Sequence, residues 1–205
     1  SYSLAKSAVA GAALMRMEKL YPGTAMQPIG PYVPATGCRS EAWKAVNLLN
    51  LLDMDTGHYD SPTYMADEDA PKIVGLFDPT DYAHKLAFSC EAYPHQEAPG
   101  RRWVYHTADT FLLGVALDNV LKQQAGRAGQ DIFTDVVDAD LYAPLRLSPT
   151  ARTTRRTYDA VAQPFFGWGL FLHGDDLAKL GRFFGPDRGR IDGQPLLDAA
   201  LLDQA

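Results

Sequence analysis

Residues 3–20 place Leu4, Ala5, Ala8, Val9, Gly11, Ala12, Ala13, Leu14 and Met15 around most of a helical circumference. A helix that is small or apolar on nearly every side is stable only when other elements cover it. The rest of the chain must therefore build a shell around this segment, and most of that shell reads as helical. After an extended loop over 21–40, with Pro22, Pro28, Pro31 and Pro34 among three glycines, Ser40 is placed to cap a helix running to about Asp53. Gly57 closes the turn that follows. Residues 59–78 read as irregular, and Thr80-Asp81 caps a short helix through Phe88.

Thr107 or Asp109 opens a strong amphipathic helix through Phe111, Leu112, Val115, Ala116 and Val120, ending near Gly126. Asp131 caps another, stopped by Pro144, and Asp175 caps one carrying Leu177, Leu180 and Phe184. The run Phe165 to Leu172, aromatic and glycine-rich, is the best strand candidate. About six helices and very little strand result, without an internal repeat.

Composition narrows the function. Lys plus Arg number 19 against 25 Asp plus Glu, a net charge of −6. That balance argues against a broad nucleic-acid surface and against a polyanionic substrate. The charge-free stretch 7–15 is nine residues long, about half of what a membrane span needs. Cys38 and Cys90 are free to pair or to stay apart. The opening Ser-Tyr-Ser-Leu-Ala-Lys is in the style of a helix start rather than a leader, so the first residue reads as a cut.

Ser3-Leu4-Ala5-Lys6 sets a hydroxyl and an amine three residues apart, on one face of a helix. A serine hydroxyl is a poor nucleophile until a neighbour takes its proton, and a lysine does so when burial or nearby positive charge disfavours its ammonium form. The apolar helix supplies that burial. A helix N-terminus also favours the oxyanion of an acyl-transfer intermediate. The spacing alone is unspecific, since seven serines and seven lysines leave roughly a quarter of such a pair to chance.

Four further segments follow in order. Leu51-Leu52-Asp53-Met54-Asp55-Thr56-Gly57-His58 comes first. Trp103-Val104-Tyr105-His106-Thr107 is followed by Asp109-Thr110-Phe111-Leu112-Leu113-Gly114. Leu141-Tyr142-Ala143-Pro144-Leu145 precedes Gly167-Trp168-Gly169-Leu170 with Asp176-Leu177-Ala178-Lys179-Leu180-Gly181-Arg182. Together with the Ser-x-x-Lys pair, their wording and order resemble the serine β-lactamase and penicillin-binding-protein family, most of all its class C β-lactamase and esterase branch.

The resemblance implies an α+β, β-lactamase/transpeptidase-like fold, of which residues 1–205 carry the central, mostly helical portion of one catalytic domain. The flanking strands are expected outside the segment at both ends. It implies hydrolysis of a small-molecule ester or amide through an acyl-serine, without metal or cofactor, in a periplasmic or extracellular compartment. Ser3 is then the nucleophile, Lys6 receives or relays its proton, and Tyr105 acts as second base or protonates the leaving group. A phenol fills that role beside a cation, which Lys6 provides.

Two departures stand out. Thr107 occupies the position where the family has Asn, two residues after Tyr, keeping a donor and an acceptor at the substrate-binding position but losing the amide's reach. The third family motif, Lys or His, any residue, then Gly, is expected on a sheet strand well after the last helix, and no such strand appears before Ala205. The alternative reading is a catalytically impaired binding homologue of the same fold.

Other constellations are weaker. Tyr59-Asp60-Ser61 rivals Tyr105 but lacks the following amphipathic helix. The histidines His58, His84, His95, His106 and His173 lack zinc-protease spacing, and Asp53 to Gly57 fails as a calcium loop. Arg152, Arg155 and Arg156 could steer a carboxylate-bearing substrate, although a short basic cluster is more often a solvated loop.

Overall fold

In the computed structural model, which describes residues 3–204, the N-terminal segment is a helix wound in two ways. Helix α1 begins with wide π turns over Lys6–Gly11 and tightens to α geometry over Ala12–Leu20. As its apolar circumference demands, Ala5, Val9, Ala13 and Leu14 are fully enclosed. Tyr142, also buried, donates its hydroxyl to the Ala8 carbonyl at 2.8 Å, pinning the π stretch from the opposite side of the core.

The helix expected from Ser40 to about Asp53 is broken. One 3₁₀ turn, Glu41–Trp43, is followed by a turn at 44–45 and a bridge at Asn47, and α2 occupies Leu48–Asp53. The cause lies in the proline-rich loop. Ile29 N–H donates to the Val46 carbonyl (3.1 Å), Leu48 N–H to Gln27 (3.1 Å) and Leu49 N–H to Ala25 (2.9 Å), so backbone groups that a continuous helix would use are already engaged. Asn47 then caps α2, its side chain and that of Asn50 each accepting the other's backbone N–H.

Helix α3 (Val74–Phe77) follows the 3₁₀ turn Pro71–Ile73 within the stretch expected to be irregular. It is a single turn, too short to show a period. Helix α4 (Tyr82–Glu91) is capped by Asp81, close to expectation. A Cys38–Cys90 disulfide, Cα atoms 5.0 Å apart, ties the 3₁₀ turn Gly37–Arg39 to the end of α4.

Helix α5 (Thr107–Ala125) is the central pillar. Phe111, Leu112, Val115, Ala116 and Val120 are fully buried, and the helix packs against α1, α2, α4 and α6. Gly126, at φ +63°, ends it in the left-handed conformation that a glycine adopts without strain. Helix α6 (Ile132–Tyr142) has π geometry and is capped by Asp131.

Helix α7 (Gly174–Phe184) starts earlier than expected. Its cap is His173, and Asp176 rather than Asp175 accepts the His173 N–H at 2.9 Å while also holding Ser148. A hairpin of β1 (Arg190–Ile191) and β2 (Gln194–Pro195) precedes α8 (Ala199–Gln204). It is the sole sheet among the described residues.

The strand candidate at 165–172 forms one single bridge, Leu170 to Thr154, with another from Pro164 just before it to Arg156, but no ladder. Its chain is diverted at Gly167 onto the first turn of α5. A Cβ there would stand 2.5 Å from Thr110 Oγ1 and 2.7 Å from Thr107 Cγ2, so only glycine permits this approach. No helix among the described residues is long and apolar enough to cross a membrane.

Candidate active site

Three segments distant in sequence meet at one point: the start of α1, the start of α5 with the residues just before it, and the loop through Gly167. Ser3 lies exposed one turn ahead of α1, where Lys6 N–H donates to the Ser3 carbonyl at 2.9 Å. Three residues on, the Lys6 side chain is 7 % exposed, its amine enclosed by the other two segments. Lys6 Nζ donates to Ser3 Oγ (3.3 Å), Thr107 Oγ1 (2.9 Å) and the Gly167 carbonyl (3.5 Å). The close passage of Gly167 over α5 is what brings that carbonyl to the amine.

Tyr105 joins the cluster from 102 residues away. Its hydroxyl donates to Ser3 Oγ in a short hydrogen bond, and Lys6 Nζ lies 4.6 Å from its ring centroid, a cation–π distance. Tyr105 itself sits in an aromatic group with Trp103 and Tyr64, centroids 6.1 and 6.4 Å away. All four residues singled out from the sequence, Ser3, Lys6, Tyr105 and Thr107, are thus in mutual contact directly or through Lys6. The rival Tyr59 points elsewhere, donating to Glu97 at 2.7 Å.

Beneath the cluster lies a layer of acids that sequence reasoning missed. Asp67 and Glu68, adjacent in the 59–78 loop, grip the adjacent residues His106 and Thr107. Asp67 takes His106 at 2.8 Å and also accepts the backbone N–H groups of Asp60 and Ser61. Glu68 accepts both the backbone N–H and, at 2.8 Å, the hydroxyl of Thr107. Burial lowers the proton affinity of His106, with Asp67 opposing that shift. A neutral ring donating Nε2–H to the Asp67 carboxylate satisfies both groups. Nothing local in an Asp-rich loop marks these two acids, because their partners are 39 residues away.

Asp109, in the first turn of α5, is 2 % exposed, and its Oδ2 has no hydrogen-bond partner. Burial, then the charges of Glu68 and Asp55, push its carboxyl well above the usual range, against a hydrogen bond from Thr56 and the charge of Lys6. A cavity of about 830 Å³ opens beside Lys6 and Ser7 and is walled by Met15, Leu52, Trp103 and Phe184. It is large enough for a small organic molecule.

The basic cluster is largely neutralised. Arg156 makes a two-armed pair with Asp131 (2.6 and 2.8 Å), Arg152 pairs with Asp138, and Arg155 lies over Phe171. No group of three or more metal-ligating side chains comes together among the described residues.

An amine and a phenol converging on one hydroxyl oxygen can carry out proton transfer coupled to nucleophilic attack. No protein-family model and no curated protein sequence matches this chain. Solved structures do. A D-stereospecific amidohydrolase from Streptomyces sp. is 16% identical, with a TM-score of 0.64 over 98% of this chain and 63% of its own. EstCE1, a hydrolase with promiscuous acyltransferase activity, is 19% identical, with a TM-score of 0.61 over 98% of this chain and 61% of its own. A class C β-lactamase in complex with cefoxitin is 18% identical, with a TM-score of 0.57 over 99% of this chain and 52% of its own. The chain spans about half to three-fifths of the length of these proteins. The described residues have the fold of the helical subdomain of the β-lactamase/transpeptidase-like hydrolases.

Proposed function

We propose that the protein is a serine hydrolase that cleaves a small ester or amide through an acyl-serine intermediate. The observation that carries this reading is the convergence of Lys6 Nζ and Tyr105 OH on Ser3 Oγ, two polar groups from separate segments on one exposed hydroxyl. The likeness to a β-lactamase, a hydrolase with promiscuous acyltransferase activity and an amidohydrolase supports the reaction class.

In this mechanism Lys6 acts as a neutral amine, its two hydrogens on Thr107 Oγ1 and the Gly167 carbonyl and its lone pair towards Ser3. Ser3 Oγ bonds to the substrate carbonyl carbon as its O–H bond breaks, and the proton passes to that lone pair. The carbonyl π electrons move onto oxygen, facing the N-terminal end of α1, where the helix dipole favours negative charge. Collapse of the tetrahedral species expels the leaving oxygen or nitrogen, which takes a proton from the Tyr105 hydroxyl. Water then releases the acyl group by the reverse sequence. Thr107 borders the position the substrate would occupy. The helical residues 1–205 would form the central part of one catalytic domain, whose flanking strands and Lys/His-x-Gly motif complete the site.

The test is active-site labelling of the full-length protein by a fluorescent fluorophosphonate or penicillin, beside Ser3→Ala. Labelling of the parent and none of the variant is expected. Lys6→Met and Tyr105→Phe should each slow it by about 100-fold or more, the usual scale for removing a general acid or base. Labelling that persists in Ser3→Ala overturns the nucleophile assignment. An unlabelled parent favours the binding homologue, the reading prompted by Thr107 standing where an asparagine is expected.

A further inference from the structure

Thr107 has a partner for its backbone N–H and for both roles of its hydroxyl. A threonine hydroxyl offers one hydrogen and two lone pairs, and its rotor decides which of them faces a neighbour. Here Glu68 Oε2 lies 2.8 Å from Thr107 Oγ1, and an ionised carboxylate can only accept. The hydroxyl hydrogen is therefore committed to Glu68, and a lone pair is left facing Lys6 Nζ at 2.9 Å. The other carboxylate oxygen holds the Thr107 backbone N–H, so one carboxylate grips both main chain and side chain of the same residue.

Glu68 is itself fixed. Its neighbour Asp67, 2 % exposed, is bound to His106 and to two backbone N–H groups of its own loop. Two adjacent acids thus clasp two adjacent residues at the first turn of α5, and the clasp cannot slide by one residue without breaking both halves.

We propose that Glu68 is a positioning residue for the Ser3–Lys6 pair. It sets the Thr107 hydroxyl as a fixed acceptor for Lys6. When the Ser3 proton moves to Lys6, a new N–H bond forms at Nζ and the amine becomes an ammonium. Glu68 then lies one hydroxyl away from that charge, and the Lys6 to Thr107 to Glu68 chain stays fully hydrogen-bonded. Nothing in this step needs a further reactant. The inference rests on the acyl-serine reading for its kinetic consequence but not for its geometry.

The test uses the full-length protein and the variants Glu68→Ala, Glu68→Gln, Thr107→Val and the double variant Glu68→Ala/Thr107→Val. With the fluorophosphonate as probe, Glu68→Ala should label about 10- to 100-fold more slowly, the scale of a small misplacement of a reacting group. Thr107→Val should lose at least as much, and the double variant should be no slower than Thr107→Val alone. Glu68→Gln, which can still accept from the hydroxyl, should recover part of the rate. Losses that multiply in the double variant, or parental labelling by Glu68→Ala, overturn the inference while leaving Ser3 as nucleophile.

A second readout needs no reaction at Ser3. After reductive ¹³C-methylation, the Lys6 resonance, assigned with Lys6→Arg, should shift in Glu68→Ala in the same direction as in Thr107→Val. A resonance unmoved in Glu68→Ala overturns the inference whether or not the parent is labelled. Absent labelling of the parent with that resonance moved refutes only the acyl-serine reading.

Discussion

His58 makes the stability of this protein depend on pH in a calculable way. Its ring is 4 % exposed, stacked on Trp43 at 3.8 Å between centroids and 9° between planes, with His95 edge-on at 5.2 Å. Neither ring nitrogen has a hydrogen-bond partner. Burial, and secondarily the charge of His95, lowers its pKa from the ordinary 6.5 to about 4. The folded protein therefore keeps this imidazole neutral under conditions in which the unfolded chain binds a proton.

The sign follows. Above pH 6.5 neither state is charged and the full stability is present. As pH falls from 6.5 to about 4 the unfolded state gains protons that the folded state refuses, and stability is lost; below about 4 the loss levels off. At about 1.4 kcal/mol for each tenfold change in proton affinity, the whole effect is about 3 kcal/mol, of which about 2 is spent by pH 5. For a domain of ordinary stability, about 5 to 15 kcal/mol, that is a large share.

Urea unfolding of the parent and of His58→Phe, from pH 7.5 down to about 4, isolates the contribution, because every other titrating group is common to both. A phenyl ring keeps the stack on Trp43 and has no nitrogen to leave unpaired. The variant should gain on the parent by about 2 kcal/mol between pH 7.5 and 5. Parallel stability curves through that window would refute the reasoning.

Two further outcomes follow from groups in the core. Asp109→Asn should raise the unfolding midpoint at neutral pH, because burial holds the native carboxyl protonated while the unfolded chain ionises. The advantage should fade as pH falls towards the ordinary 3.8 of a carboxyl, and an equal gain at both ends of that range would contradict it. Replacing Cys38 and Cys90 by alanine releases a loop of 52 residues, for which chain entropy predicts a loss of about 4 kcal/mol; a loss below about 1 kcal/mol in urea unfolding would show that the crosslink does not act mainly on the unfolded chain.

Part of the site was legible because it is local. Ser3 and Lys6 stand three residues apart in a segment whose composition predicts a buried helix, so their shared face follows from helical geometry. Tyr105 and Thr107 carry no such local signal; the order of several short segments and their likeness to a family mark them. Glu68 and Asp67 were not legible, since an acid in an Asp-rich loop has no local mark of a partner 39 residues on. The strand expected at 165–172 failed for a related reason. Its aromatics and glycines suit a strand, yet Gly167 is used for contact with Thr107 and Thr110 rather than for a ladder.

Helices whose signals lie within their own span are readable from the chain alone: the apolar circumference of α1, the long period of α5 with glycine at its end, and the Asp81 and Asp131 caps. Tertiary structure alone decided the break before α2, the joining of Cys38 to Cys90, and the approach of Tyr105 and Glu68 to the Ser3–Lys6 pair. Helical periodicity and capping are satisfied within about four residues, so they are written locally. A backbone group claimed by a distant loop, or a carboxylate that orients a hydroxyl 39 residues away, exists only once the chain has packed.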